Sequence, residues 1–162
     1  MDSIEKKVLE LLEDDSRITP AQIAVMLGKD EAEIAGIIRA VHAAGTILGY
    51  KTLIDWDKTD REYVTAIIEL KVTPQREFGF DKVAERIWRY NEVQSVYLCS
   101  GNYDIMLIIE GKTLREVAYF VAEKLAVLDY ITATSTSFVL RKYKDRGTIY
   151  GQAQIDMREN IL

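Results

Sequence analysis

Cysteine is almost missing from this chain. Cys99 stands alone among 162 residues, which excludes an internal disulfide framework and any cysteine-rich metal site. Histidine is equally scarce, and His42 has no Cys or His neighbour at ligand spacing. Two prolines and nine glycines are too few for long disordered stretches. No apolar run approaches the roughly 18 residues that span a bilayer. The opening Met1-Asp2-Ser3-Ile4-Glu5 is acidic and amphipathic, unlike a secretory signal, so the expected location is the cytoplasm with no membrane partner. No phosphate loop and no nucleophile–base–orienter set occurs, so neither catalysis nor a cofactor is expected.

Positive charge is also in short supply. The chain has 21 Lys and Arg against 26 Asp and Glu, a net charge of −5. Duplex binding draws much of its affinity from cations that neutralise phosphates. Any DNA-binding role must therefore rest on local geometry and on oligomerisation. The rest of the composition, 48% hydrophobic and 29% charged, is that of a folded protein, and the length suits one large domain or two small ones.

What is present begins with helical periodicity. Ile4, Val8, Leu11 and Leu12 form one face of a helix over residues 2–15. Thr19 followed by Pro20 marks the cap and first position of a short second helix, Pro20 to Leu27, with Ile23 and Leu27 inward and Gly28 ending it. Asp30 caps a third helix from Glu31 to about Ala44, with Glu33 placed for a capping box. Its stripe is Ile34, Ile37, Ile38 and Val41, and Gly45 closes it. Three helices with a short break before the third describe a helix-turn-helix. Ile47 to Ile54 is rich in strand formers, a winged-helix-like addition that completes a domain over 1–54. The polar run Asp55–Arg61 places a linker at 55–62.

Beyond it the period changes to two. Val64, Ala66, Ile68, Leu70 and Val72 alternate with polar residues as a strand. Phe78 to Tyr90 reads as a helix with Phe80, Val83, Ala84, Ile87 and Trp88 clustered. Val93–Ser100 and Tyr103–Glu110 read as strands joined by a tight turn at Gly101-Asn102, with glycine supplying positive φ. Thr113 caps a helix to about Leu128 bearing Leu114, Val117, Ala118, Val121 and Leu125, and Ile131–Arg141 is the last strand. The order βαββαβ is ferredoxin-like, over residues 63–146, with a tail at 147–162; the fold class is α+β. Both helices then cover one sheet face. Met106 and Ile108 keep the other apolar, which points to a second copy covering it.

These features together resemble the Lrp/AsnC (leucine-responsive/asparagine regulator) family of prokaryotic transcription regulators. The resemblance is carried by Ile18-Thr19-Pro20-Ala21-Gln22-Ile23-Ala24, Gly45-Thr46-Ile47-Leu48-Gly49-Tyr50, Gly101-Asn102-Tyr103-Asp104 and Thr136-Ser137-Phe138-Val139-Leu140, in that order. It covers Asp2 to about Arg146. It implies dimers built through the ferredoxin-like domains and assembled into tetramers, octamers or larger rings. It also implies double-stranded DNA as a partner, and a small effector, commonly an amino acid, held near the hairpin.

The residues themselves support this unevenly. The candidate DNA contacts are Thr19, Lys29, Glu31, Ala32 and Arg39, around the start of the recognition helix. Family members more often place Ser, Thr, Pro, Arg or Lys there. Residues 1–45 hold five cations (Lys6, Lys7, Arg17, Lys29, Arg39) against nine acids, so 5 − 9 = −4. That balance keeps open the alternative of an amino-acid sensor whose helix-turn-helix is a degenerate structural arm. The candidate effector site is Ser100, Gly101, Asn102, Tyr103 and Asp104: amides at the turn receive a carboxylate and Asp104 an ammonium. The competing reading is a turn in which Asp104 only fixes local geometry. Thr134 and Thr136, with Thr132, fall on one strand face opposite Ile131, Ala133 and Val139. They either offer hydroxyls to the ligand or are simply good strand formers. Cys99 reads as a small buried hydrophobe, Trp88 as a core residue, Trp56 as packing at the linker, and His42 as a complement to its helix end.

Overall fold

Side-chain caps set the starts of the first three helices. The structure, a computed structural model, describes residues 2–73 and 79–150. Helix α1 (Ser3–Asp14) opens with a capping box between Asp2 and Glu5. Helix α2 (Pro20–Leu27) opens with a second box, Thr19 with Gln22, and stops at Gly28, whose φ of 63° is left-handed. Helix α3 (Glu31–Ala43) opens at Asp30, but the expected box with Glu33 does not form. Asp30 Oδ1 accepts from the Ala32 amide at 2.8 Å, and Glu33 turns to the Lys29 ammonium 3.4 Å away. A neighbouring cation one helical turn back is a stronger partner than a neutral amide. The apolar stripes meet in a core of Val8, Leu12, Ile23, Ala24 and Ile34.

The strand expected over Ile47–Ile54 is absent, so no wing occurs among the described residues of this unit. A strand needs a ladder partner, and residues 2–54 contain no other extended segment to supply one. Leu48 is left 95% exposed. Tyr50 is held to the helical part through its hydroxyl, 3.1 Å from His42 Nε2, with the rings edge-on at 5.4 Å.

The chain divides into two compact units at the Ile54–Asp55 junction. In the second, the expected linker is ordered: Trp56–Lys58 forms one 3-10 turn, and the Arg61 guanidinium stacks 4.4 Å above half-buried Trp56. Then follow β1 (Val64–Val72), α4 (Phe80–Ile87), β2 (Val93–Leu98), β3 (Ile105–Gly111), α5 (Leu114–Phe120) and β4 (Ile131–Phe138). The strands lie in the order β2-β3-β1-β4, each pair antiparallel, as a ferredoxin-like sheet requires. Ala66, Ile68 and Leu70 of β1 with Ile105, Leu107 and Ile109 of β3 face the helices and are buried. Ile67, Met106 and Ile108 fall on the open face, half-buried among their neighbours.

Several side chains depart from the helical reading. A π-helical turn at Val121–Leu125 shifts the frame of the second helix. Its buried positions are Val117, Phe120, Leu125 and Leu128, while Leu114 is 55% exposed and Ala118 is also exposed. Trp88, expected in the core, follows the end of α4 and is 57% exposed. A further hairpin, β5 (Lys144–Asp145) with β6 (Thr148–Ile149), follows the sheet. Its turn residues Arg146 and Gly147 have φ of 46° and 82°, the positive pair of a type I′ turn. The boundary expected between 146 and 147 therefore falls inside a turn. Residues 151–162 of the expected tail lie outside the described residues.

Candidate functional site

The start of α3 is less free than its sequence suggests. Thr19, at the start of α2, is consumed by its cap: its Oγ1 accepts from the Gln22 amide at 3.2 Å, and its own amide donates to Gln22 Oε1 at 2.8 Å. Lys29 is paired with Glu33. Lys6 is paired with Glu10 at 3.9 Å, and Arg17 with Asp15 at 3.4 Å. Of the six cations in this unit, Lys7, Arg39 and Lys51 carry no ion pair among the described residues. Glu31 and Ala32 are exposed in the first turn of α3, and Arg39 is exposed two turns on. Exposed ion pairs are worth only about 0–1 kcal/mol, so a phosphate can take Lys29 from Glu33 at small cost.

The loop between β2 and β3 differs from the expected tight turn. Gly101 does not adopt positive φ. The Cys99 amide donates to the Asp104 carbonyl at 2.8 Å and closes a four-residue loop, Ser100 to Tyr103. No acceptor among the described residues takes the amides of Ser100, Gly101, Asn102 or Tyr103. Cys99 itself is exposed rather than buried, because β2 ends at Leu98 and leaves its side chain outside the sheet.

Asp104 ties this loop to the end of β1. Its amide donates to the Leu70 carbonyl at 2.9 Å. The Val72 amide donates to its Oδ2 at 2.8 Å, and Lys71 Nζ to its Oδ1 at 3.2 Å. The Val72 hydrogen bond, opposed by desolvation and aided by Lys71, holds this carboxyl below the usual carboxylate range. A group whose pKa is lowered by folding stabilises the fold above its unfolded value, and that stability is lost as pH falls through the lowered value. Asp104→Asn is therefore expected to be less stable than the parent at neutral pH, with the gap closing below the ordinary carboxylate range. Denaturant unfolding from pH 7 to pH 3 measures this, and a gap independent of pH would remove Asp104's charge from the account.

The two threonines sit apart from Asp104. Thr134 and Thr136 register with Leu70 and Ile68, so they share the helix-covered face; Lys71, which Asp104 engages, belongs to the open one. A bulge where Val72 meets Ile131 and Lys71 meets Ala133 sets this register and brings Ile131 onto the face of Thr134, against the expected alternation. Thr132 donates to the Lys71 carbonyl at 3.3 Å. The structure thus brings Ser100–Asp104 and Thr134 to one end of the sheet, flanking β1, but on opposite faces. The sequence reading missed Lys71 and Val72 as the partners of Asp104. A lysine next to a strand end is the only signal it offers.

The comparisons with known proteins fit this division. Residues 1–47 match the winged helix-turn-helix DNA-binding model, and residues 65–149 match the Lrp/AsnC ligand binding domain. The chain is 44% identical over 155 residues to YugG of Bacillus subtilis strain 168, an uncharacterised HTH-type transcriptional regulator, covering 95% of this chain and 93% of that one. It is 28% identical over 136 residues to the regulatory protein AsnC of Haemophilus influenzae, covering 84% and 89%. Among solved structures, E. coli AsnC superposes with a TM-score of 0.68 at 19% identity, covering 88% and 93%. A transcriptional regulator from Neisseria meningitidis, solved as a complex with L-Met, superposes with a TM-score of 0.72 at 19% identity, covering 90% and 93%. No helix of the described residues is long and apolar enough to cross a membrane. A helix-turn-helix followed by an open-faced ferredoxin-like sheet, matched along nearly its whole length, makes this chain a member of the Lrp/AsnC family, a DNA-binding transcriptional regulator with a C-terminal ligand-binding domain.

Proposed function

We propose that the protein is a homodimer or larger homo-oligomer that binds a free amino acid at Ser100–Asp104 and thereby alters its hold on DNA through α3. The four consecutive amides without an acceptor carry the effector reading. Backbone N–H groups pointing out of a loop are a receptor for a carboxylate, and every α-amino acid presents one. Asp104 already holds Lys71, so the ligand's ammonium competes with that lysine for the same oxygens. Such an exchange would couple occupancy to the end of β1. The L-Met complex of the Neisseria relative supports the ligand class.

On the DNA side, Thr19, Lys29, Glu31, Ala32 and Arg39 line the approach to the groove, with Thr19 acting as a cap that shapes the turn. The acidity of this unit is offset by duplication. Two copies double the phosphate contacts, and the apolar open face around Ile67, Met106 and Ile108 gives the sheets a reason to pair.

The test is retention of fragmented genomic DNA by the purified protein, with and without a pooled amino-acid panel, across a salt series. A few enriched palindromic sites, altered by the panel, are expected. Affinity should fall by roughly one log unit per log salt for each phosphate contact. Retention that ignores the panel would remove the effector reading. No retention at all, from a folded oligomer, would leave a sensor without DNA binding.

A further inference from the structure

Three acids crowd the start of α3, and two of them have intramolecular work. Asp30 caps the helix through the Ala32 amide. Glu33 holds Lys29. Glu31 is exposed, and among the described residues no group donates to it or pairs with it. Its neighbour one turn on is Ala35, which leaves the carboxylate room to move. The helix dipole favours negative charge here, but Asp30 and Glu33 already supply it.

We propose that Glu31 is a specificity residue that selects cytosine, its carboxylate accepting a hydrogen bond from the cytosine N4 amino group in the major groove. This rests on the reading that α3 enters that groove. A carboxylate is acceptor-only, so it is repelled by the base edges that present acceptors: guanine N7 and O6, and thymine O4. Two bases offer an amino donor there. In adenine the N6 amino group stands beside the N7 acceptor, whereas the cytosine N4 amino group has no acceptor next to it on the same base. The carboxylate thus gains at cytosine and loses elsewhere. Specificity here comes as much from rejecting wrong bases as from binding the right one. The net negative charge of the unit then serves discrimination: a weak background hold on phosphates makes each base contact count for more.

Selection of binding sites from a random duplex library by the full-length parent, Glu31→Ala and Glu33→Gln tests this. The parent's sites are expected to hold cytosine at one fixed position per half-site, with loss of roughly tenfold in affinity when that base alone is changed. Glu31→Ala is expected to lose the preference at that position only, while Glu33→Gln keeps it. Circular dichroism checks that each variant folds, which the exposure of both side chains leads one to expect. A cytosine preference that survives Glu31→Ala, or parent sites with no such position, overturns the assignment of Glu31. If the parent selects sites whose sequence is unaffected by Ala32→Arg or Arg39→Ala as well, the reading of α3 as the groove helix falls too. If the folded parent selects no site, both readings fall together.

Discussion

An Ile23→Ala chain is expected to bind no DNA while its C-terminal unit stays folded. Ile23 is fully buried in a small core cluster with Val8, Leu12, Ala24 and Ile34. Truncating a buried isoleucine costs about 2–5 kcal/mol, the lost transfer energy plus the cavity left behind. A unit ending at Ile54 has roughly 3–8 kcal/mol to lose, at typical stability per residue. The substitution therefore removes a large share, and at physiological temperature α2 and α3 no longer hold a fixed angle. The second unit has its own core around Ile68, Leu70, Leu107 and Ile109 and shares no residue with the first. Calorimetry should show an early transition moved down or gone and a late one unchanged, with any effector-induced shift of the late one preserved. A single transition lowered as a whole would mean that the units unfold together.

Ile108→Asp carries the second large effect, on assembly. Ile108 is paired with Ile67 on β1 and Ser95 on β2, on the face the helices leave bare. Tyr97, paired with Met106, adds a 46%-exposed ring to that face. In a monomer the aspartate meets water and the fold survives, because the buried core lies on the other side of the sheet. In a symmetric dimer each copy would bury an unpaired carboxylate, at a cost on the order of 3–5 kcal/mol for each uncompensated charge. Each 1.4 kcal/mol is about tenfold in the equilibrium, so at micromolar concentration the variant should run as a folded monomer by light scattering. DNA affinity should drop with it, to that of one half-site. A variant that remains dimeric would place the interface elsewhere.

Local chemistry explains which parts of this architecture were legible beforehand. Thr19-Pro20 and Gly28 bracket α2 because each imposes a backbone conformation by itself. The alternation from Val64 to Val72 needs only the pleat of a strand. What stayed hidden depends on partners far along the chain. The bulge opposite Lys71 decides which face Thr134 occupies, and nothing in Thr132-Ala133-Thr134 encodes it. The π-helical turn puts a five-residue step between buried Phe120 and buried Leu125, so that Leu125 and Leu128 carry the stripe on. Ile47–Ile54 has strand composition but no ladder to join. In the site, the candidate loop was found by its glycine and its family likeness. That Asp104 was already committed to Lys71 and Val72 is a tertiary fact, separated by more than thirty residues of sequence.

Cys99 acquires a practical meaning from its surroundings. It is the sole thiol of the protein, it is exposed, and it stands immediately before the loop Ser100–Tyr103. Its amide also closes that loop onto the Asp104 carbonyl. A maleimide fluorophore therefore attaches at one place only, without mutagenesis, next to the amides proposed above to receive a carboxylate. Its emission would register the entry of a ligand in real time, so the chain arrives already equipped as an optical titration probe.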